Sequence, residues 1–217
     1  IRLNVVMVTI SVVAAIYITE IALSYSEFSD ELSMQEIAIK SGIDFDPRTK
    51  LQVIKDLRRE GVDAWPNFFP YLLIKTNGLP GSKKLFPLSG LSKKSTVTCN
   101  ESGQYQVTLS DRYGFNNPDS EWDSPKTEWL LLGDSFAYGA CVQPGLEVSG
   151  KIRDITGENV INLGTFGAGP LTSLAALKEY AQFRKPKNVF WLYYPNDSGD
   201  LISEITSPLL MSYMDQE

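Results

Sequence analysis

The sequence contains no histidine, and it has only two cysteines among its 217 residues. Without histidine, these residues can build neither an imidazole metal site nor an imidazole general base. The cysteines, Cys99 and Cys141, lack the CxxC spacing of zinc and thioredoxin-like sites, so no metal and no cofactor is expected. The two cysteines form a disulfide if the chain lies outside the cytosol, or else they are two buried free thiols.

Positive charge is also scarce, since 20 lysines and arginines stand against 26 acidic residues, for a net charge of -6. Phosphate binding needs a basic face, so no nucleic-acid partner is expected. A short basic cluster, Lys83-Lys84 with Lys93-Lys94, is interpreted as solvated loop. The 43% hydrophobic content suffices for one sizeable core, which excludes a disordered or fibrous chain.

A long apolar run stands at the amino end of the chain. Residues 3–25 are interrupted only by Asn4 and Glu20, and at 1.5 Å per residue the run can cross a bilayer. No small-residue cleavage pattern follows, so we predict an uncleaved transmembrane anchor over residues 1–25, with a buried soluble helix as the alternative. Arg2 before the run and acidic residues after it favour a single-pass protein whose soluble part lies on the periplasmic or extracytoplasmic side.

Residues 26–110 are predicted to form a stalk or connector. The Asp46-Pro-Arg-Thr49 stretch precedes apolar residues at helical spacing, which indicates a capped amphipathic helix. Prolines and glycines between residues 61 and 95 predict an extended, loop-rich segment. Residues 96–99 and 105–109 flank Asn100-Glu-Ser-Gly103, a pattern typical of a β-hairpin.

Residues 111–217 are predicted to form an α/β domain. Apolar runs at 129–132, 159–163 and 187–194 each end in a polar or glycine-rich loop, and helical patterns cover 149–156, 171–183 and 207–213. Repeated βα units predict a parallel sheet, and right-handed crossovers bring all three loops to one edge. That edge is where α/β sheets place their ligands.

The three loops carry Ser135, the backbone N–H groups of Gly164–Gly169 and the side-chain amide of Asn196. A nucleophilic hydroxyl beside such donors is the arrangement that acyl transfer requires. Two other interpretations are open. Gly133-Asp-Ser135 is also a common turn and helix-cap pattern. The glycine-rich loop could bind a nucleotide phosphate, although it lacks the dinucleotide spacing and a Walker lysine.

Three motifs in this order, each after a predicted strand, resemble those of the SGNH (GDSL-type) hydrolase superfamily. They are Gly133-Asp-Ser-Phe136, Asn162-Leu-Gly-Thr-Phe-Gly167 and Asn196-Asp197. The preceding Tyr113-Gly-Phe-Asn-Asn-Pro118 is similar to membrane-anchored members encoded with bacterial envelope-polysaccharide genes. The resemblance covers about residues 111–201 and implies a three-layer, flavodoxin-like parallel-sheet domain, here in part.

The resemblance also implies roles for individual residues. Ser135 would be the nucleophile, and the N–H groups of Gly167 and Ser135 would stabilise the oxyanion together with the side chain of Asn196. Asp134 would be a structural residue of the turn. Tyr194-Pro195 stands where the family has glycine, a departure that bears on the placement of Asn196. The implied activity is ester hydrolysis or O-acyl transfer on an acylated envelope glycan or lipid.

The base of that family is a histidine, with an aspartate three residues before it, and this sequence has no such residue. Three strands are found where the family has about five, so we expect the sequence to be an incomplete copy of a longer protein. The alternative to an incomplete copy is a naturally truncated protein. The alternative to the enzymatic function is a non-catalytic SGNH-like binding or scaffold subunit of a membrane complex. Trp191, Tyr193 and Tyr194 either line a sugar site or fill the core, and core packing is the commoner use of such aromatics.

Overall fold

The computed structural model describes residues 2–81, 85–182 and 184–215, so Lys83-Lys84 lie outside the described residues. The chain divides into two compact units, Ile1–Pro47 and Arg48–Glu217. The helices and strands are, in chain order, α1 (Arg2–Lys40), α2 (Lys50–Arg59), β1 (Ala64–Pro66), β2 (Ser95–Val97), β3 (Val107–Leu109), β4 (Trp129–Gly133), α3 (Ser135–Tyr138), α4 (Val148–Thr156), β5 (Val160–Asn162), α5 (Pro170–Ala176), β6 (Asn188–Leu192), α6 (Asp197–Glu204) and α7 (Pro208–Met211).

The first unit contains one continuous helix, α1. Its segment Val6–Ser24 has a mean hydropathy of 2.2 and is long and apolar enough to cross a membrane. The helix does not stop at the predicted end of the span, because residues 26–40 contain neither proline nor glycine. It ends just before Gly42, whose positive φ of 66° is typical of a residue that terminates a helix.

The second unit opens with α2 and a small three-stranded sheet. Thr49 caps α2 as predicted, since its side chain and that of Gln52 form a reciprocal capping box. Strands β2 and β3 pair antiparallel, which confirms the predicted hairpin. Strand β1 joins them in parallel, although the proline-rich pattern around it predicted an extended loop. Helix α2 and this sheet enclose a small core of Val53, Ile54, Ala64 and Val97.

Two contacts connect the small sheet with the loop after α3. Cys99 and Cys141 are 42 residues apart in the sequence and form a disulfide, so they are not the two free thiols of the alternative prediction. The buried side chain of Gln106 donates to the carbonyl oxygen of Gly139 (2.8 Å) and accepts from the N–H of Cys141 (3.0 Å). The hairpin is therefore fixed to the segment that follows Ser135.

The second sheet has the order β5-β4-β6, and both strand pairs are parallel. The mixed α/β class and the parallel arrangement are confirmed. Leu130, Leu131 and Leu132 of the central strand are buried, as expected for a strand covered on both faces. The largest core cluster combines these strands with flanking elements and contains Phe115, Trp122, Leu130, Leu132, Ile161, Leu163, Ala176 and Ala181.

Two of the three predicted helical ranges are confirmed, the third is divided, and α6 lies in a stretch for which no helix was predicted. Helix α4 matches the predicted segment 149–156, and α7 lies within 207–213. The predicted helix over 171–183 is divided, because α5 ends at Ala176 and a π-helical turn covers Leu177–Ala181. The turn brings Tyr180 against the core, where its ring contacts Phe115 at 5.0 Å between centroids.

Candidate active site

Ser135 is the first residue of α3, directly beyond the carboxyl end of the central strand β4. The chain turns sharply at Gly133, whose φ is 141° and where a Cβ atom would lie 2.7 Å from the carbonyl oxygen of Leu192. Asp134 caps the helix, since its carboxylate accepts the N–H of Phe136 at 2.9 Å. Gly133, Asp134 and Ser135 thus form the turn and helix cap that are typical of this sequence pattern. Ser135 is half-buried at the edge of the sheet.

The loop after β5 packs against this turn. The N–H of Thr165 donates to the carbonyl oxygen of Gly133 (3.2 Å), and Asn162 donates to the carbonyl oxygen of Ala137 (2.6 Å). A Cβ atom at Gly164 would lie 2.5 Å from the backbone nitrogen of Tyr138, so only glycine permits this approach. The structure therefore brings the predicted glycine-rich loop beside α3, at the same edge of the sheet as Ser135.

Two of the predicted oxyanion donors lack an acceptor within the part of the chain that the structure describes. Among residues 2–81, 85–182 and 184–215, nothing accepts a hydrogen bond from the N–H of Ser135 or the N–H of Gly167. Within the same residues, the hydroxyl of Ser135 also has no hydrogen-bond partner. Such unpaired donors beside a hydroxyl are chemically suited to bind the oxygen of an ester carbonyl.

The third predicted donor, Asn196, has a different environment. Its side-chain nitrogen donates to the carboxylates of Asp134 and Asp200, at 3.1 Å in each case. Asn196 is thus brought to the Ser135 turn through Asp134, but both of its donor contacts go to carboxylates. An oxyanion would have to displace one of them to be bound by this amide.

The carboxyl end of β6 is acidic. Asp197 is buried and accepts the N–H of Tyr194 at 2.9 Å, while burial raises its pKa and the nearby carboxylates of Asp134 and Asp200 add to that rise. No group of three or more histidine, cysteine or acidic residues within the described chain is arranged to hold a metal ion. The negative charge makes this edge a poor place for an anionic ligand.

Sequence reasoning missed the buried Asp111, which lies in the segment before β4. Its carboxylate accepts from the backbone N–H groups of Tyr113 and Phe115 and from the side chains of Asn117 and Trp122. Burial raises the pKa of Asp111, and these four hydrogen bonds act in the opposite direction.

Asn117 forms hydrogen bonds both to Asp111 and to Asn162 of strand β5. Its side chain accepts the N–H of Asn162 (2.8 Å) and donates to the carbonyl oxygen of Asn162 (2.9 Å). The segment before β4 therefore positions the strand that leads into the glycine-rich loop. The available signal was the polar segment Tyr113–Pro118, which entered the sequence analysis only through the family resemblance.

Glu204 was also missed, and it holds the other end of the loop. Its buried carboxylate accepts the N–H groups of Gly169, Leu171 and Thr172 at 2.8 to 3.1 Å, so it caps the start of α5. Burial is the largest influence on Glu204 and raises its pKa. Nothing in the local pattern of α6 identified it, because its partners lie more than 30 residues away.

The aromatic residues at the end of β6 are not core residues, contrary to the commoner expectation. Trp191, Tyr193 and Tyr194 are 49%, 57% and 49% exposed, and they lie in or directly after β6, an edge strand of the described sheet. Tyr194 lies beside the ring of Phe136, with 4.5 Å between centroids. Since Phe136 follows Ser135 directly, these two rings lie next to the candidate nucleophile.

The fold and this edge define a mixed α/β protein with a serine, unpaired backbone donors and carboxylates at the carboxyl ends of parallel strands. No protein-family model matches the chain, and neither a curated protein nor a solved structure is significantly similar to it.

Proposed function

We propose that this chain is a membrane-anchored ester hydrolase or O-acyl transferase of the SGNH type, with a three-layer domain and Ser135 as nucleophile. The observation that carries the proposal is the position of Ser135 at the end of β4, with its own N–H and that of Gly167 free of intramolecular acceptors among the described residues. In this role the hydroxyl attacks the ester carbon, and the two N–H groups bind the oxygen as it becomes negative.

The proposed substrate is an acylated envelope glycan or lipid, and the proposed location of the domain is the extracytoplasmic side. The apolar segment Val6–Ser24 supports attachment to a membrane. The disulfide between Cys99 and Cys141 supports an oxidising compartment, since such bonds are rare in the cytosol.

The proposal requires a base that these 217 residues do not supply as histidine. A serine hydroxyl is a weak nucleophile until its proton is removed during attack. The experiment is therefore made on the product of the complete reading frame, where an Asp-x-x-His sequence after the last strand is expected.

The test compares hydrolysis of p-nitrophenyl acetate by the wild type, Ser135→Ala and the control Ser203→Ala, which alters an exposed serine of α6. We expect kcat/KM to fall about a thousandfold or more in Ser135→Ala and to stay unchanged in Ser203→Ala. Equal turnover in Ser135→Ala and the wild type contradicts the proposal.

A second candidate function is a non-catalytic SGNH-like binding or scaffold subunit of a membrane complex. The observation that favours it is the amide of Asn196, whose donor contacts go to Asp134 and Asp200 instead of remaining free. This candidate predicts that the complete reading frame has no Asp-x-x-His and that Ser135→Ala leaves turnover and any assembly unchanged.

A further inference from the structure

The chain before the α/β domain contributes an aromatic residue to the proposed site. The 3₁₀ turn Pro70–Leu73, which lies in the predicted connector, carries Tyr71 against the glycine-rich loop. A Cβ atom at Gly167 would lie 2.6 Å from Cδ1 and 2.7 Å from Cγ of Tyr71. Two features therefore require glycine at position 167. Its φ of 64° is unfavourable for other residues, and the ring of Tyr71 fills the space that a side chain would need.

A row of rings leads from this turn to the helix of the candidate nucleophile. Phe69 contacts Tyr71 at 6.1 Å and Phe166 at 4.8 Å between ring centroids, and Phe166 contacts Tyr138 at 4.9 Å. Tyr138 ends α3, the helix that begins at Ser135. The connector therefore contacts the glycine-rich loop directly, and Phe166 of that loop links it to α3.

The turn is held in place by the core. The adjacent Pro70 is buried, and Ile74 packs in a cluster with α5 and α7 that contains Phe86, Leu88, Leu171, Ala175 and Leu210. Tyr71 itself remains 44% exposed, so part of its ring faces solvent. A side chain on a fixed backbone, with one part packed on the loop and another part accessible, can form the wall of a binding site.

The contact at Gly167 sets an upper limit on the distance from Tyr71 to the proposed oxyanion position. A Cβ atom lies about 2.5 Å from the nitrogen of its own residue, so the nearest ring atom is at most about 5 Å from the nitrogen of Gly167. An oxyanion bound by that N–H lies about 3 Å from the same nitrogen. An acyl chain attached to that carbonyl is then within a few methylene lengths of the ring.

We propose that Tyr71 is the specificity-determining residue that limits the length of the acyl group accepted beside Ser135. This inference rests on the proposed function. With the ring present, a short acyl group such as acetyl fits beside Gly167, and a longer chain meets the ring. Removal of the ring opens the space and admits the longer chain.

The experiment measures kcat/KM for p-nitrophenyl acetate and p-nitrophenyl butyrate with the product of the complete reading frame. The variants are Tyr71→Ala, Tyr71→Phe and the neighbouring control Leu72→Ala, which alters an exposed side chain of the same turn. We expect Tyr71→Ala to raise the butyrate-to-acetate ratio of kcat/KM about tenfold or more, since a few methylenes carry that much discrimination in a pocket. Tyr71→Phe and Leu72→Ala are expected to keep the wild-type ratio.

The ratio separates a specificity role from a structural one, because general damage to the loop lowers turnover of both esters alike. If Tyr71→Ala does not fold, Tyr71→Leu is judged by the same ratio. An unchanged ratio in a folded variant whose turnover still depends on Ser135 overturns the role of Tyr71 and leaves the proposed function standing. Absence of any Ser135-dependent turnover in the wild type overturns both.

Discussion

Strands β4 and β6 lie side by side in one sheet, are five residues long and are both largely apolar, yet their environments differ. Leu131 of β4 is fully buried, whereas its partner in the register, Phe190 of β6, is 48% exposed. The central strand has a neighbour on each side, and β6 is at the edge of the described sheet. Apolar composition therefore identifies both as strands, and the elements packed around each strand decide which one is buried.

The largest expected effect tests this difference directly through the cross-strand pair Leu131 and Phe190. Leu131→Ala is expected to lower the free energy of unfolding by about 2–5 kcal/mol, because it leaves a cavity in the core. Phe190→Ala is expected to cost only about 1–2 kcal/mol although it removes a larger side chain, since about half of that side chain is already in solvent. Urea unfolding of the detergent-solubilised protein, followed by circular dichroism, measures both values.

The outcome that would break the comparison is a cost for Phe190→Ala equal to that for Leu131→Ala. It would mean that a further strand or another polypeptide covers β6 in solution, although β6 is exposed in the described part of the sheet.

Two buried carboxylates, one on each side of β4 in the sheet, also differ, in this case in the number of their hydrogen-bond partners. Asp111, on the β5 side, accepts four hydrogen bonds, whereas Oδ1 of Asp197, after β6, has no partner among the described residues. Asp111→Asn is expected to destabilise the protein by about 1–3 kcal/mol, because an amide NH2 would face the donors of Asn117 and Trp122. The exposed Asp154→Asn is the matched control, with an expected change within about 0.5 kcal/mol.

The same unfolding measurement checks this second prediction. A neutral effect of Asp111→Asn would show that the network around Asp111 does not need the charge, and that its hydrogen bonds can be rearranged around an amide.

The sequence predicted the parts of the site that depend on neighbouring residues. Apolar runs ending in glycine identified β4 and β5, and parallel βα units placed Ser135 and the Gly164–Gly169 loop at one edge. Contacts between distant residues were not predictable, because no periodicity encodes them. The carboxylate of Glu204 caps a helix about 30 residues before it, and Tyr71 reaches Gly167 from a segment that the prolines assigned to a loop.

The smallest expected effect concerns Asp197, which is 1% exposed and whose pKa is raised by burial and by the carboxylates of Asp134 and Asp200. Because the folded state holds the proton of Asp197 more tightly than the unfolded chain does, the stability that this group contributes is complete below its usual pKa of about 4 and is lost as the pH rises through the raised pKa. Asp197→Asn removes that loss, keeps an oxygen for the N–H of Tyr194 and replaces the unpaired oxygen by an amide nitrogen.

We therefore expect Asp197→Asn to be slightly more stable than the wild type at pH 8 and equal to it near pH 4, measured as the difference in unfolding free energy at each pH. Asp200→Asn, on the same helix, is the control and is expected to keep most of the wild-type pH dependence, because burial is the largest influence on Asp197. A variant as unstable at pH 8 as Asp111→Asn would erase the contrast, since it would show that the carboxylate after β6 is as fully paired in solution as the one on the β5 side.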